Sequence, residues 1–433
     1  MTETDPDISR VVDRRMALAR EWDELVAQVR ELEGLEDFLR PPRLENLLPA
    51  AAEGPVAIVN VSRWRCDALL VRADGVDVVP LPGLTSAATF EKTNNYLRLL
   101  QQVDQATAAA HAARRGVDEQ PGLSAVKRYT DAKKALATAV AQRDGMLATL
   151  LTWLWDEVAA PVLAATGFTS PPDDEQPWPR LWWCPTGPLT LLPLHAAGYH
   201  DTAGRAGDNV LDRVVSSYAP TLRALLEARQ PLAQPSADDR LLVVSMPQTP
   251  GQLPLENVVR ERKLLTSLLR DRHTLLEDTS ATTTAVLDEL PRHRWAHFSC
   301  HGGQDLADPS RGGLLLHDRV LTIPDISARQ HDGEFAFLSA CKTAVGGTTL
   351  PDEAITLAAA LHYTGYRRVI GTMWSVHDDT AADVAEMVYT DLTATGRFEP
   401  AGAARALHRA IRRLRDVRRL PASAWTPFTH TGA

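Results

Sequence analysis

Trp295-Ala296-His297-Phe298-Ser299-Cys300-His301-Gly302-Gly303 is an apolar run that stops at a histidine and two glycines. A second run, Glu334-Phe335-Ala336-Phe337-Leu338-Ser339-Ala340-Cys341, stops at a cysteine 40 residues beyond that histidine. Short runs rich in aromatics and cut off by Gly or a polar turn suit strands of a parallel sheet covered on both faces. Parallel strands end on one edge, and open α/β sheets carry their sites at that carboxyl edge. His301 and Cys341 are therefore expected to meet there.

Such a pair suits covalent catalysis by a thiolate. A thiol with a pKa near ~8.5 is mostly protonated at neutral pH, and a neighbouring imidazole takes its proton or stabilises the thiolate. Gly302 lets backbone approach a carbonyl closely. Its N–H, with that of Cys341, would hold the oxyanion of a tetrahedral intermediate, worth about 2.7–4 kcal/mol per donor. By spacing alone the same residues also read as a packed histidine and a small core cysteine, which is the commoner case.

Phe298-Ser299-Cys300-His301-Gly302, Leu338-Ser339-Ala340-Cys341-Lys342-Thr343, Asp352-Glu353-Ala354-Ile355 and Gly371-Thr372-Met373-Trp374-Ser375-Val376-His377-Asp378-Asp379 follow one another in order. Together they resemble the successive motifs of the CHAT family, caspase-like domains often found beside tetratricopeptide repeats and related to separase. Trp425-Thr426-Pro427-Phe428 is similar to the family's closing Trp-x-x-Phe. The resemblance implies a caspase-like cysteine endopeptidase with His301 and Cys341 as its dyad, an acyl-enzyme intermediate, a protein substrate and an activating or regulatory protein partner. Lys342 departs from the family, which usually has an acidic residue there, and so alters the charge of the pocket. A non-catalytic adaptor of the same fold is the alternative, and an amidase or acyl-transfer enzyme would use the same dyad. The presence of both dyad residues favours the enzyme.

The surrounding pattern predicts an α/β chain: a caspase-like, mainly parallel sheet flanked by helices. Strands at 240–245 and 273–276 alternate with helices at 256–269 and 283–290 before the His301 strand, which implies right-handed crossovers. A hairpin at 312–321, a short helix from Pro324, a helix at 352–363 stopped by Gly365, and a strand at 368–374 complete the catalytic domain, 240–433. A Pro- and Asp-containing linker, 229–239, precedes it. Residues 54–228 read as a non-catalytic α/β region with strands at 55–61, 67–71 and 76–80. Long helices at 90–115 and 124–165 follow, then a tight hairpin at 184–194. The region is analogous to the pseudo-protease portion of separase-like enzymes, and its His195 reads as a packed residue. Residues 1–53 form an N-terminal helical segment, helical over 10–40 and stopped by Pro41-Pro42.

Trp374 ends a strand that runs to the same edge, Asp378 and Asp379 follow it, and the three are candidates to bind a substrate side chain. The two aspartates equally suit helix capping. Asp305, with Asp308, lies in the loop after His301 and would contact substrate, orient the imidazole or keep the loop wet. The net charge of −9 gives no support to nucleic-acid binding, and the Arg-rich helix at 401–420 reads as a solvated surface. Cys66, Cys184, Cys300 and Cys341 form no Cys-x-x-Cys pair, so neither metal nor other cofactor is expected, and a reducing cytoplasm is. No run of 18 uninterrupted apolar residues occurs, and no membrane span is expected.

Overall fold

The computed structural model describes residues 6–32, 35, 38–173, 177–200, 205, 207–231, 239–303, 308, 311–340, 343 and 356–433. Two compact units divide the chain, 1–49 and 50–433. The first carries helix α1, Pro6–Arg30, shorter than the 10–40 expected from periodicity; Val26 is buried in it, while Val12, Met16 and Trp22 are exposed.

The second unit opens with strands β1 (Val56–Asn60), β2 (Asp67–Arg72) and β3 (Gly75–Pro80), the last two joined by the expected hairpin. Helices α2 (Ser86–Glu119) and α3 (Leu123–Leu154) follow as a long pair. Gly116 does not break α2, since an open helix face costs a glycine only about 1 kcal/mol. Part of the helical run Leu123–Thr166 is long and apolar enough to cross a membrane by length and composition, and 50% of that part is buried in the fold. Strand β4 (Arg180–Pro185) leads into a 3-10 turn at Gly187–Leu191, not into the expected hairpin. Pro185, Pro188 and Pro193 remove the N–H groups that a second strand would need there.

Strand β5 (Val215–Tyr218) precedes the expected alternation: β6 (Leu241–Ser245), α4 (Val258–Leu269), β7 (His273–Glu277), α5 (Thr283–Glu289) and β8 (Trp295–Ser299). Next come β9 (Gly302–Gly303), β10 (Gly313–Leu315), β11 (Val320–Thr322), β12 (Phe335–Ser339), α6 (Leu357–Tyr363), β13 (Arg368–Thr372), α7 (Asp378–Leu392), α8 (Ala403–Arg412) and β14 (Phe428–Gly432). Among the described residues, eleven strands form one sheet in the order β3-β2-β1-β4-β5-β14-β13-β12-β8-β6-β7, and β9 to β11 form a small second one. The sheet is mainly parallel, and β14, antiparallel to β13 and parallel to β5, joins its two halves.

Strand alternation sorts the core into two layers. Trp295, Phe335, Phe337 and Ile370 face one side, packed with Leu265, Val388 and Leu407 of α4, α7 and α8. Ala296, Phe298, Cys300, Leu338 and Ala340 face the other, packed with Val286 and Leu357 of α5 and α6. Among the arginines after residue 404, Arg409 is held by Asp391, Arg415 by Asp212 and Asp416, and Arg418 by Asp383. The helix there stops at Arg412 and continues as a single wider turn, Arg413–Val417.

Gly365 ends α6 as the sequence predicts. Its φ is +122°, and a Cβ at that position would stand 1.6 Å from the carbonyl oxygen of His331. Gly365→Ala is expected to cost about 3 kcal/mol or more, from backbone strain of about 1–3 kcal/mol and overpacking of similar size. Urea unfolding measures it. Gly145→Ala, inside α3 with nothing within 4 Å of the added Cβ, should instead stabilise by about 0.5–1 kcal/mol.

Candidate active site

Strands β6, β8, β12 and β13 are parallel neighbours, so their carboxyl ends share an edge. Ser299 and Ser339 pair in register as the last residues of β8 and β12. His301 follows Ser299 by two residues, and Cys341 follows Ser339 by two. Cys341, Lys342 and Asp305 lie outside the described residues.

The half-buried His301 ring is held through Nε2, which is 2.8 Å from the carbonyl oxygen of Leu253, in the segment leading to α4. A carbonyl only accepts, so Nε2 carries a proton and Nδ1 is the nitrogen left for proton transfer. The histidine's own carbonyl accepts the N–H of Leu315 at 2.8 Å. That makes 301/315 a hydrogen-bonded pair of the antiparallel β9–β10 ladder and 302/314 the neighbouring non-bonded pair. Gly302 N–H therefore points off the ladder, as an oxyanion donor must.

The chain on either side of Cys341-Lys342 is tied to its neighbours. Thr372 Oγ1 donates to the Ala340 carbonyl at 2.7 Å, Thr372 N–H donates to Thr343 Oγ1 at 2.9 Å, and Ala358 N–H donates to the Thr343 carbonyl at 2.9 Å. Cys300 is 2% exposed in the second apolar layer, on the face opposite Ser299.

A polar cluster that the sequence reading did not single out lies beneath this edge. Glu261, on the buried stripe of α4 with Val258, Leu265 and Leu269, is 1% exposed. Ser339 Oγ donates to its Oε1 at 2.8 Å, Ser299 Oγ donates to its Oε2 at 2.7 Å, and His297 Nε2 lies 2.9 Å from Oε2. His297, fully buried, has Nδ1 3.1 Å from the Tyr389 hydroxyl. Burial, with Glu261 nearby, pushes the Tyr389 phenol well above its usual range. The signal available in sequence was a glutamate at i+3 from Val258 and i−4 from Leu265, on the apolar face.

Asp378 begins α7 without capping it, since His377 holds the cap position. Its carboxylate accepts the N–H of Asn257 at 2.7 Å, at the start of α4. Burial raises its pKa, opposed by that bond. Asp379 is exposed and accepts Thr380 N–H at 2.7 Å. Asp308 pairs with Arg311 at 3.0 Å.

Trp374 is 2% exposed, edge-on to Tyr96 at 5.4 Å. It lines a cavity of ≈ 240 Å³ between α2, α3 and the end of β13, together with Leu100, Val103, Asp104, Val140, Asp144 and His377. His195 is spent within the fold, its ring nitrogens 2.9 Å from the Tyr218 hydroxyl and 2.9 Å from the Thr426 carbonyl. Among the described residues no group of His, Cys, Asp and Glu is arranged to hold a metal ion.

The CHAT domain pattern matches residues 148–433. A chain in the crystal structure of the Saccharomyces cerevisiae separase–securin complex superposes with a TM-score of 0.58 at 11% identity, over 89% of this chain and 30% of that one. This chain thus spans less than a third of that protein's length. Gingipain R of Porphyromonas gingivalis, an Arg-specific cysteine proteinase, matches at 11% identity over 67% of this chain and 75% of its own, with a TM-score of 0.42. No curated protein matches the chain in sequence.

Proposed function

Since the chain belongs to the CHAT domain family, we propose that it is a cysteine endopeptidase working through a His301–Cys341 dyad. The observation that carries the reading is the His301 ring, fixed by the Leu253 carbonyl through Nε2 at the carboxyl edge of β8, beside the strand that leads to Cys341. Nδ1 takes the Cys341 proton, and the thiolate adds to the peptide carbonyl carbon. The N–H groups of Gly302 and Cys341 hold the oxyanion. As the tetrahedral intermediate collapses, Nδ1–H protonates the departing amine, leaving a thioester. Water, deprotonated by Nδ1, then hydrolyses the thioester and restores the thiol.

In this reading 240–433 is the catalytic domain and 54–228 a non-catalytic half. The cavity lined by Trp374 and the exposed Asp379 serve substrate side chains, and Asp305 is given the same role. A thiol nucleophile suits a reducing compartment such as the cytoplasm. The separase of the structural match is seen with securin, and we extend the proposal to control of this chain by a protein partner.

The test is iodoacetamide labelling of Cys341 against pH, read by mass spectrometry, beside a peptide-library cleavage profile. An activated thiol labels well below the unperturbed pKa of ~8.5, and His301→Ala should move the midpoint up. Labelling indifferent to His301, with no peptide cleaved, would leave the adaptor.

A further inference from the structure

We propose that Glu261 is a positioning residue for the dyad, stapling the ends of the two strands that carry His301 and Cys341; the inference rests on the peptidase reading above. A carboxylate removed from water is costly unless its oxygens are bonded. Glu261 meets that cost with donors from two strands at once: Ser339 Oγ on Oε1, and Ser299 Oγ with His297 on Oε2. Its place in the first turn of α4 adds the positive end of the helix dipole.

The two serines are register partners at the last position of β8 and β12. One side chain thus sets the spacing of both strand ends, and each dyad residue lies two positions further along.

The same helix controls the imidazole from the other side. The segment leading into α4 supplies the Leu253 carbonyl that holds His301 Nε2, and Asn257 N–H is held by Asp378 at the start of α7. The depth at which Glu261 seats α4 against the serines therefore also sets where the Leu253 carbonyl stands relative to the ring. Misplacement by about 1 Å costs a reaction of this kind on the order of 10²-fold. A cluster that only stabilised the core would not need to grip the last residue of both strands.

The test uses the full chain with Glu261→Gln, Ser339→Ala and the double variant. Glu261→Gln keeps the size of the side chain but replaces one acceptor with a donor. It is expected to lower kcat about 10–100-fold with KM within about twofold. The double variant should be little worse than Glu261→Gln alone, since the two residues act as one unit. Cys341 labelling in Glu261→Gln should lose most of its dependence on His301. If Glu261→Gln does not fold, Ser339→Ala, which removes a single contact, carries the same expectation at smaller size. A lowered urea midpoint with unchanged kcat and unchanged labelling would overturn the proposal and leave a stabilising cluster. Wild type without cleavage and without His301-dependent labelling would remove the peptidase reading itself. Wild type with both, matched by Glu261→Gln, would remove only this inference.

Discussion

Cys341→Ala is expected to abolish peptide cleavage, and His301→Ala to slow it by about 10²–10⁴-fold, the usual contribution of general acid–base catalysis. The inequality follows from their roles. Without the sulfur no thioester forms, whereas without the imidazole the fraction of thiol ionised in solution still attacks. Because the two act in one step, the double variant should be no slower than Cys341→Ala. Cys300→Ala is the control. Its thiol is packed among Phe298, Leu338 and Ala340 on the far face, so its loss should trim stability and leave most turnover. Single-turnover cleavage by the four proteins measures this, and full cleavage by Cys341→Ala would remove the dyad.

Stability is expected to fall steeply as pH drops from 6.5 towards 3, with histidines rather than carboxylates driving the first part. Burial pushes the His195 ring down to about 4 and the His408 ring, also repelled by Arg412, down to about 3. His430 and His362 are lowered in the same direction, again first by burial. The sign follows from linkage. Below pH 6.5 the unfolded chain binds protons that the folded chain refuses, so the free energy of unfolding falls until the folded pKa is reached. One pKa unit is about 1.4 kcal/mol, which puts His195 and His408 on the order of 3–5 kcal/mol each. Asp325, held down to about 2 chiefly by Arg319, contributes its stability in full above its ordinary value of 3.8 and loses it only below that, a separate and lower window. Urea midpoints between pH 7.5 and 3.5 test the prediction. His195→Gln should flatten the slope between 6.5 and 4, and identical slopes for the two proteins would contradict it.

The strands whose inner faces are apolar were legible: Leu241–Ser245, Trp295–Ser299, Phe335–Ser339 and Arg368–Thr372 all stand where their hydrophobic runs predict. Strands β5 and β14 were not, although both lie in the middle of the sheet. Val215-Ser216-Ser217-Tyr218 and Phe428-Thr429-His430-Thr431-Gly432 are too polar to read as buried strands. Their side chains satisfy one another across the ladder instead. Ser217 Oγ lies 2.8 Å from His430 Nδ1 and accepts Arg180 Nη2 at 2.8 Å, while Trp182 Nε1 donates to the Gly432 carbonyl at 2.7 Å. The site divided in the same way. His301 announced itself by ending an apolar run, whereas the Leu253 carbonyl has no sequence signature, and Glu261 looked like one more charge on an amphipathic helix.

The placement of β14 has a consequence for synthesis. It is the last strand in chain order, yet it fills the gap between β5 and β13. As the chain leaves the ribosome, the two half-sheets present raw inner edges for as long as residues 428–432 are still to come, and such edges invite pairing with other chains. Each nascent molecule therefore depends on a closing segment that arrives after its histidine and cysteine have been made. A stalled or shortened product would carry both residues on an open sheet, a species for chaperones to hold.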